Sequence, residues 1–218
     1  MTVSRETLQA TLQAGIQELG LSFSSGQLEQ LMAYLALLQK WNKVYNLTAV
    51  RDPAQMVTQH LLDSLAAVPA FAQAKHVLDV GAGGGLPGIV MAIARPDMQI
   101  TLIDTVHKKT AFLTQVKAEL ALANVTVQTG RVEQFQSSRL FDVITSRAFA
   151  ELADFVNWSG HLLANDGQFI ALKGIDPELE KQNLPKQWQV VKVEAIHVPQ
   201  LDAARHLIFI QRNESSSH

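Results

Sequence analysis

No cysteine occurs among the 218 residues. That absence removes disulfides, thiolate metal sites and every mechanism built on a cysteine nucleophile. Long apolar runs are missing too, since no stretch approaches the roughly 20 residues that a bilayer span needs. Met1 to Ala10 hold neither an apolar core nor a small-residue cleavage site, so no secretory signal is expected and the chain reads as cytoplasmic. Positive charge is not in excess either. With a formal net charge of −2 there is no global basic footprint, and any nucleic-acid contact must come from a local patch. No Gly-Lys-Ser/Thr follows the glycines at 81–88, which excludes a Walker A site, and no Gly-x-Ser-x-Gly elbow supports a serine hydrolase. His60 with Asp63 supplies too few ligands for a metal, so none is expected.

What is present fits one α/β domain with a small extension. The hydrophobic share of 47% and charged share of 17% are ordinary for a globular protein of this length. Apolar residues recur at helical spacing from Ser4 to Leu19 and from Ser24 to Lys43, with Ser24 or Ser25 able to cap the second segment. A polar interval, Asn42 to Asp52, precedes a third helical segment opened by Pro53 and running to about Ala67. From His76 the texture changes to short apolar runs alternating with amphipathic segments, the signature of a parallel sheet. Strands are expected at His76–Val80, Gln99–Ile103, Val125–Gln128, Phe141–Thr145 and Gln168–Lys173, and helices at Gly88–Ala94, Lys108–Ala123 and Leu152–Leu163. Gln189–His197 and His206–Gln211 read as a closing hairpin. The expected divisions are a helical extension at 1–74, a ligand-binding domain at 75–212 and a disordered tail at 213–218.

The strand ending in Asp79-Val80-Gly81-Ala82-Gly83-Gly84-Gly85 before a helix has the form of a nucleotide-binding turn, where missing side chains admit a ligand close to the backbone. Asp104 falls 19 residues after Gly85, at the end of the next strand, where a carboxylate accepts hydrogen bonds from ribose hydroxyls. Taken alone, the turn supports any adenosine-containing ligand. Gly83, Gly85 and Gly88 match the spacing of dinucleotide folds, and a turn used only for tight packing stays open beside that. Asp79 weighs against a dinucleotide, because its carboxylate would repel a pyrophosphate. S-adenosylmethionine carries an ammonium and a sulfonium and no phosphate, so acids at both strand ends become favourable contacts.

Six blocks in order resemble one family, the bacterial 16S rRNA guanine-N7 methyltransferases, also called the glucose-inhibited division protein B family. They are Trp41-Asn42-Lys43-Val44-Tyr45-Asn46-Leu47-Thr48, His60-Leu61-Leu62-Asp63-Ser64, Asp79 through Ile89, Ser146-Arg147-Ala148-Phe149, Ala171-Leu172-Lys173-Gly174 and Arg205-His206-Leu207. The family commonly has a proline where this chain has Gly84, a departure that loosens the loop without removing a contact. The resemblance implies a class I, Rossmann-like methyltransferase fold: a seven-stranded, mostly parallel sheet with an N-terminal helical extension. It further implies S-adenosylmethionine as cofactor, 16S rRNA in the small ribosomal subunit or its assembly intermediate as partner, and a monomer. Family cofactor contacts carry over to Gly81, Leu86, Val132, Glu133 and Arg147, and Asp79, Gly83 and Asp104 join them on physical grounds.

The residue inventory narrows the acceptor. Pyrimidine C5 methylation needs a cysteine adduct and is excluded. Exocyclic-amine methylases of adenine typically carry an Asn/Asp-Pro-Pro-aromatic block where this chain has Thr145-Ser146-Arg147-Ala148-Phe149. Guanine N7 offers a lone pair at neutral pH, so a cation without an evident base suffices. Arg147, at the carboxyl end of a central strand, is the candidate catalytic residue, by pairing with a guanine or a phosphate. Asn46, His60, Lys173 and Arg205 are candidate substrate contacts, whereas Lys108 and Lys109 read as an exposed face. A small-molecule or protein acceptor with the same cofactor is the alternative that the slightly acidic composition keeps open.

Overall fold

The computed structural model describes residues 3–147, 149–175 and 177–213. Two helices open the chain: α1, Arg5–Glu18, and α2, Ser25–Tyr45. Each starts at a serine cap. The Ser4 side chain accepts from the Thr7 N–H, and Ser24 forms a reciprocal capping box with Gln27, so the first-turn N–H groups find partners. Leu8, Leu12 and Ile16 line one face of α1 and are buried, each contributing about 1.5–3 kcal/mol of apolar burial. They belong to the same core cluster as Leu31, Leu35 and Leu38 of α2, which recur at the same 3.6-residue period.

The third helical segment is not uniform. It divides into α3, Pro53–Met56, a π-helical turn at Val57–Leu62 and α4, Asp63–Ala67, followed by a 3-10 turn at Val68–Phe71. Asp52 caps its start by accepting from the Ala54 and Gln55 N–H groups. The wider turn has no signature in six residues of sequence, and π turns cluster at functional sites.

The rest alternates strand and helix: β1 His76–Val80, α5 Gly88–Ala94, β2 Gln99–Asp104, α6 His107–Glu119, β3 Val125–Thr129 and β4 Phe141–Arg147. Then follow α7 Leu152–Ser159, β5 Leu163–Lys173, α8 Glu178–Gln182, β6 Trp188–Ala195 and β7 His206–Arg212. The seven strands run in the order β3-β2-β1-β4-β5-β7-β6. All pairs are parallel except β5 with β7 and β6 with β7. The expected closing hairpin is therefore present, with β7 inserted between β5 and β6. Strand order reverses between β1 and β4, and ligands bind in the crevice that such a reversal opens at the carboxyl ends of the strands.

Several boundaries differ from the sequence reading. α6 stops at Glu119 because Ala121 enters the left-handed region at φ 51°, which sends the chain back toward β3. α7 stops at Ser159, a 3-10 turn follows, and β5 begins at Leu163 with a register shift against β4. Asn213, assigned to the tail, donates from its backbone to the Gln187 carbonyl at 2.8 Å and so extends the sheet edge; residues 214–218 lie outside the described residues. No helix among the described residues is long and apolar enough to cross a membrane.

The helical extension and the sheet share one apolar cluster, from Leu8 and Tyr34 through Val77 and Ile89 to Phe209. Tyr34 adds a directional tie, its buried hydroxyl donating to the Gly84 carbonyl at 2.5 Å. The extension thus holds the glycine turn in place.

Candidate active site

The glycine turn is built from backbone bonds. Gly81 and Ala82 donate to the Ile103 carbonyl at 2.9 and 3.1 Å, and Gly85 donates to Ala82 at 2.7 Å. Gly81 has φ +67°, and a Cβ there would lie 2.4 Å from Cδ2 of Phe149, so both conformation and space require glycine. Gly88 opens α5 against β1 and β2, where a Cβ would meet Leu102 Cδ2 at 2.2 Å and Asp79 Oδ2 at 2.7 Å. Gly88→Ala should therefore destabilise the fold by about 2 kcal/mol, as overpacking does. A urea midpoint equal to that of the native chain would show that α5 shifts freely.

At the carboxyl ends of β1 and β2 lies a cavity of about 720 Å³, within the usual size range of small-molecule sites. Gly81, Asp104, Lys109, Val132, Glu133, Phe149 and Trp158 contribute to its lining. Asp104 is 6% exposed; Oδ2 accepts from the Gly83 N–H and Oδ1 from the Val106 N–H, both at 2.9 Å. Each oxygen keeps a lone pair for a further donor. Lys109 Nζ stands 3.7 Å from Asp104 Oδ2, so this lysine is a cavity residue rather than part of a plain exposed face. Phe149 and Trp158 meet edge to face at 5.7 Å and supply an aromatic wall. Phe149 stands in the Ser146-Arg147-Ala148-Phe149 block, whereas Trp158 and Lys109 carry no sequence signal for this site, because each reaches it by folding from a different element.

Four residues expected at the cofactor do not line this cavity. Asp79 is fully buried behind the turn, where Oδ2 accepts from the Gly88 N–H at 2.9 Å and Oδ1 has no partner. It fastens α5 to β1. Leu86 is 6% exposed and packs into the core cluster. Gly83 serves through the N–H it gives to Asp104. Arg147 faces a second cavity instead.

That second cavity, of about 390 Å³, brings together His60, Asp63, Arg147, Lys173 and Arg205. Asp63 is 4% exposed and joins two guanidiniums: Oδ2 accepts from Arg147 Nη1 at 3.1 Å and Oδ1 from Arg205 Nε at 2.9 Å. Lys173 Nζ donates to both Glu180 oxygens, at 3.1 and 2.9 Å, and to the Ala150 carbonyl. His60 shares a 2.8 Å hydrogen bond between Nε2 and Thr48 Oγ1. Burial, and then the Arg147 charge, push its pKa down to about 4, so it is neutral at pH 7. Asn46 is absent from this group. It ends α2 in the left-handed conformation, and its side chain accepts from Arg51.

Asp79 has a measurable consequence. Burial raises its pKa from 3.8 to about 7, against the Gly88 N–H and the Arg147 charge, which favour the carboxylate. Between those values the unfolded chain ionises and the native chain does not, so this group's contribution is fully present below pH 3.8 and is lost as pH rises toward 7. His60 acts in the opposite sense, its contribution being lost as pH falls from 6.5 to about 4. The two slopes oppose each other, which makes the difference between variants the informative quantity. Asp79→Asn should gain stability relative to the native chain steadily from pH 4 to 7 and then level off. A gap independent of pH in urea titrations would mean that the carboxyl is ionised throughout.

The backbone of the turn also bears on the ligand class. The N–H groups of Gly81, Ala82, Gly83, Gly85 and Gly88 are all taken within the turn, by Ile103, Asp104, Ala82 and Asp79. None of these five is left to cradle a pyrophosphate, which weighs against a dinucleotide. What the cavity offers, two carboxylate lone pairs and an aromatic wall beside a side-chain-free turn, fits an adenosyl group. This sheet order, with that cradle at its switch point, defines a class I methyltransferase that uses S-adenosylmethionine.

The solved structures agree on the fold. A putative O-methyltransferase from Klebsiella pneumoniae superposes with a TM-score of 0.59 at 15% identity, covering 96% of this chain and 99% of that one. Sequence comparison is more specific. Residues 27–208 match the family model for rRNA small subunit methyltransferase G, and the chain belongs to that family. It is 66% identical over 212 residues to the Ribosomal RNA small subunit methyltransferase G of Janthinobacterium sp. (strain Marseille), covering 95% of this chain and 96% of that protein. The protein of the same name from Burkholderia pseudomallei (strain 1106a) is 53% identical, covering 97% and 94% respectively.

Proposed function

We propose that this protein transfers the methyl group of S-adenosylmethionine to N7 of one guanine in 16S rRNA, acting as a cytoplasmic monomer on the small subunit or its assembly intermediate. In this reading residues 1–74 are the helical extension and 75–212 the methyltransferase domain. One observation carries it: a cavity lined by the glycine turn, Asp104 and an aromatic wall, and a second cavity lined by Arg147, Lys173 and Arg205, sit at neighbouring strand ends of a chain that belongs to the rRNA small subunit methyltransferase G family. The bound cofactor would supply an electrophilic methyl on a sulfonium, and guanine N7 already holds the lone pair that accepts it.

The protein's task is then alignment and exclusion of water rather than proton transfer. Asp104 would hold the ribose, Phe149 and Trp158 with Val132 would flank the adenine, and Glu133 would stand at its edge. Arg147, Lys173 and Arg205 would orient the RNA. The neutral His60 would tie the π-helical turn to Thr48.

The test supplies labelled cofactor with intact small subunits, naked rRNA, tRNA and cell metabolites, and maps m7G by chemical strand cleavage. Label confined to one guanine of 16S rRNA is the expected result. Label entering only protein or metabolites would overturn the reading in favour of the other acceptor class. Ionic strength separates the two as well, because only phosphate contacts give a steep salt dependence.

A further inference from the structure

We propose that the 390 Å³ cavity binds a single phosphodiester group of the RNA chain, and that Asp63 is the positioning residue for the two guanidiniums that receive it. This rests on the RNA reading above and specifies which part of the substrate meets these side chains.

Sheet register places the cavity. Asp79 pairs with Thr145, so Gly81 and Arg147, each two residues further on, leave adjacent strands at the same level. Arg147 pairs with Leu172, and Lys173 with His206, which brings Arg205 to the same end. The cations therefore stand one strand away from the glycine turn, where the chain flanking a reacting nucleotide would pass.

Asp63 gives the cations a fixed spacing. Its side chain is 5% exposed and each oxygen holds a different arginine, whereas the arginines are 23% and 24% exposed. The π-helical turn supplies a second hold on Arg147. The Asp63 N–H donates to the Thr58 and His60 carbonyls, and the Gln59 carbonyl accepts from Arg147 Nη1 at 3.1 Å. Arg205 Nη1 is likewise fixed by the Ala204 carbonyl. Among the described residues, Nε and Nη2 of Arg147 and Nη2 of Arg205 have no hydrogen-bond partner. Two guanidinium edges with unused donors, held by one carboxylate, form a receptor for a tetrahedral anion.

Charge selects which anion. Arg147, Lys173 and Arg205 are offset by Asp63 and by Glu180, which holds Lys173, and His60 is neutral; one net positive charge remains. A phosphodiester carries one negative charge and matches it. A phosphomonoester carries about −1.5 to −2 at neutral pH and does not.

The probe is a 16S rRNA fragment that the native enzyme methylates, synthesised with a neutral methylphosphonate at one linkage at a time around the modified guanine. Native enzyme should lose about tenfold in affinity at one linkage. Arg205→Ala should lose about tenfold on unmodified RNA, lose nothing further at that linkage, and keep its cofactor affinity. Asp63→Asn separates positioning from counter-charge. It adds net positive charge, so a mere counter-ion role would tighten RNA binding, whereas a positioning role weakens it severalfold, with partial recovery in Asp63→Glu. Should the Asn variant not fold, the Arg205 cycle decides alone. Methylation with no sensitive linkage, tighter binding by folded Asp63→Asn, or calorimetric binding of inorganic phosphate without linkage sensitivity would each overturn the phosphodiester site while leaving the RNA reading intact. Failure of the native enzyme to methylate any 16S fragment or subunit would overturn both.

Discussion

Asp104→Ala is expected to weaken S-adenosylmethionine binding roughly a hundredfold, about 3 kcal/mol, at the upper end of what a charged hydrogen-bond partner contributes. The reason lies in what Asp104 does besides facing the ligand. Its two oxygens hold the Gly83 and Val106 N–H groups, so the carboxylate joins the glycine turn to the loop that enters α6. Alanine removes the ribose acceptor and releases both loops together. It also leaves Lys109, 3.7 Å away, without its counter-charge beside a cationic cofactor. Asp104→Asn should recover little, because one oxygen becomes an NH₂ pointing at a backbone donor. Calorimetry with the free cofactor reads the effect directly. Unchanged affinity in the alanine variant would mean that the ribose is held elsewhere, and a matching fall in melting temperature would assign the loss to the turn instead.

The parts of the fold legible in sequence are those where period and chemistry agree. β1, α5 and β2 follow from the change of texture at His76 and from the glycines, and serines 4 and 24 mark helix starts by a mechanism, the side-chain cap. Helix ends were harder. Ala121 turns left-handed without the glycine that usually announces such an end, and Gly160 follows α7 so that the Trp188 ring can approach, a Cβ there standing 2.7 Å from its Cζ2. That approach comes from a distant strand and has no local signal. The site shows the same division. Asp104 is legible because a strand end facing the crevice is a fixed place. Asp79 misleads because a strand buried along nearly its whole length shows no alternation of polar and apolar faces, so its side-chain direction cannot be read. It serves the turn from behind, and Asn46, similarly, serves a helix end. His60, Lys173 and Arg205 converge with Arg147 although three separate elements carry them; Asp63 stands out in the sequence beside His60, but its hold on Arg147 and Arg205 is set by strands distant from it in the chain.

Arg147→Ala should reduce kcat/KM for RNA methylation by about a hundredfold, close to 2.7 kcal/mol in transition-state stabilisation. The loss comes from geometry and charge together. Without Arg147, the Gln59 carbonyl loses a donor, and Asp63 is left with Arg205 as its remaining partner in the pair. The cavity then drops from one net positive charge to none, and the acceptor is both less attracted and less well aligned. Stability should also fall, because Asp63 is buried and loses one of its two guanidiniums, but Arg205 stays as its second partner and keeps the carboxylate paired. Arg147→Lys restores the charge but not the forked donor set, so it should recover salt-dependent RNA affinity more than turnover. Cofactor affinity distinguishes the two roles assigned to this residue. Arg147 does not line the 720 Å³ cavity, so the cofactor dissociation constant should change by no more than a few-fold. A hundredfold loss there, with RNA affinity intact, would instead make Arg147 a cofactor contact and move the acceptor-orienting role to Lys173 and Arg205.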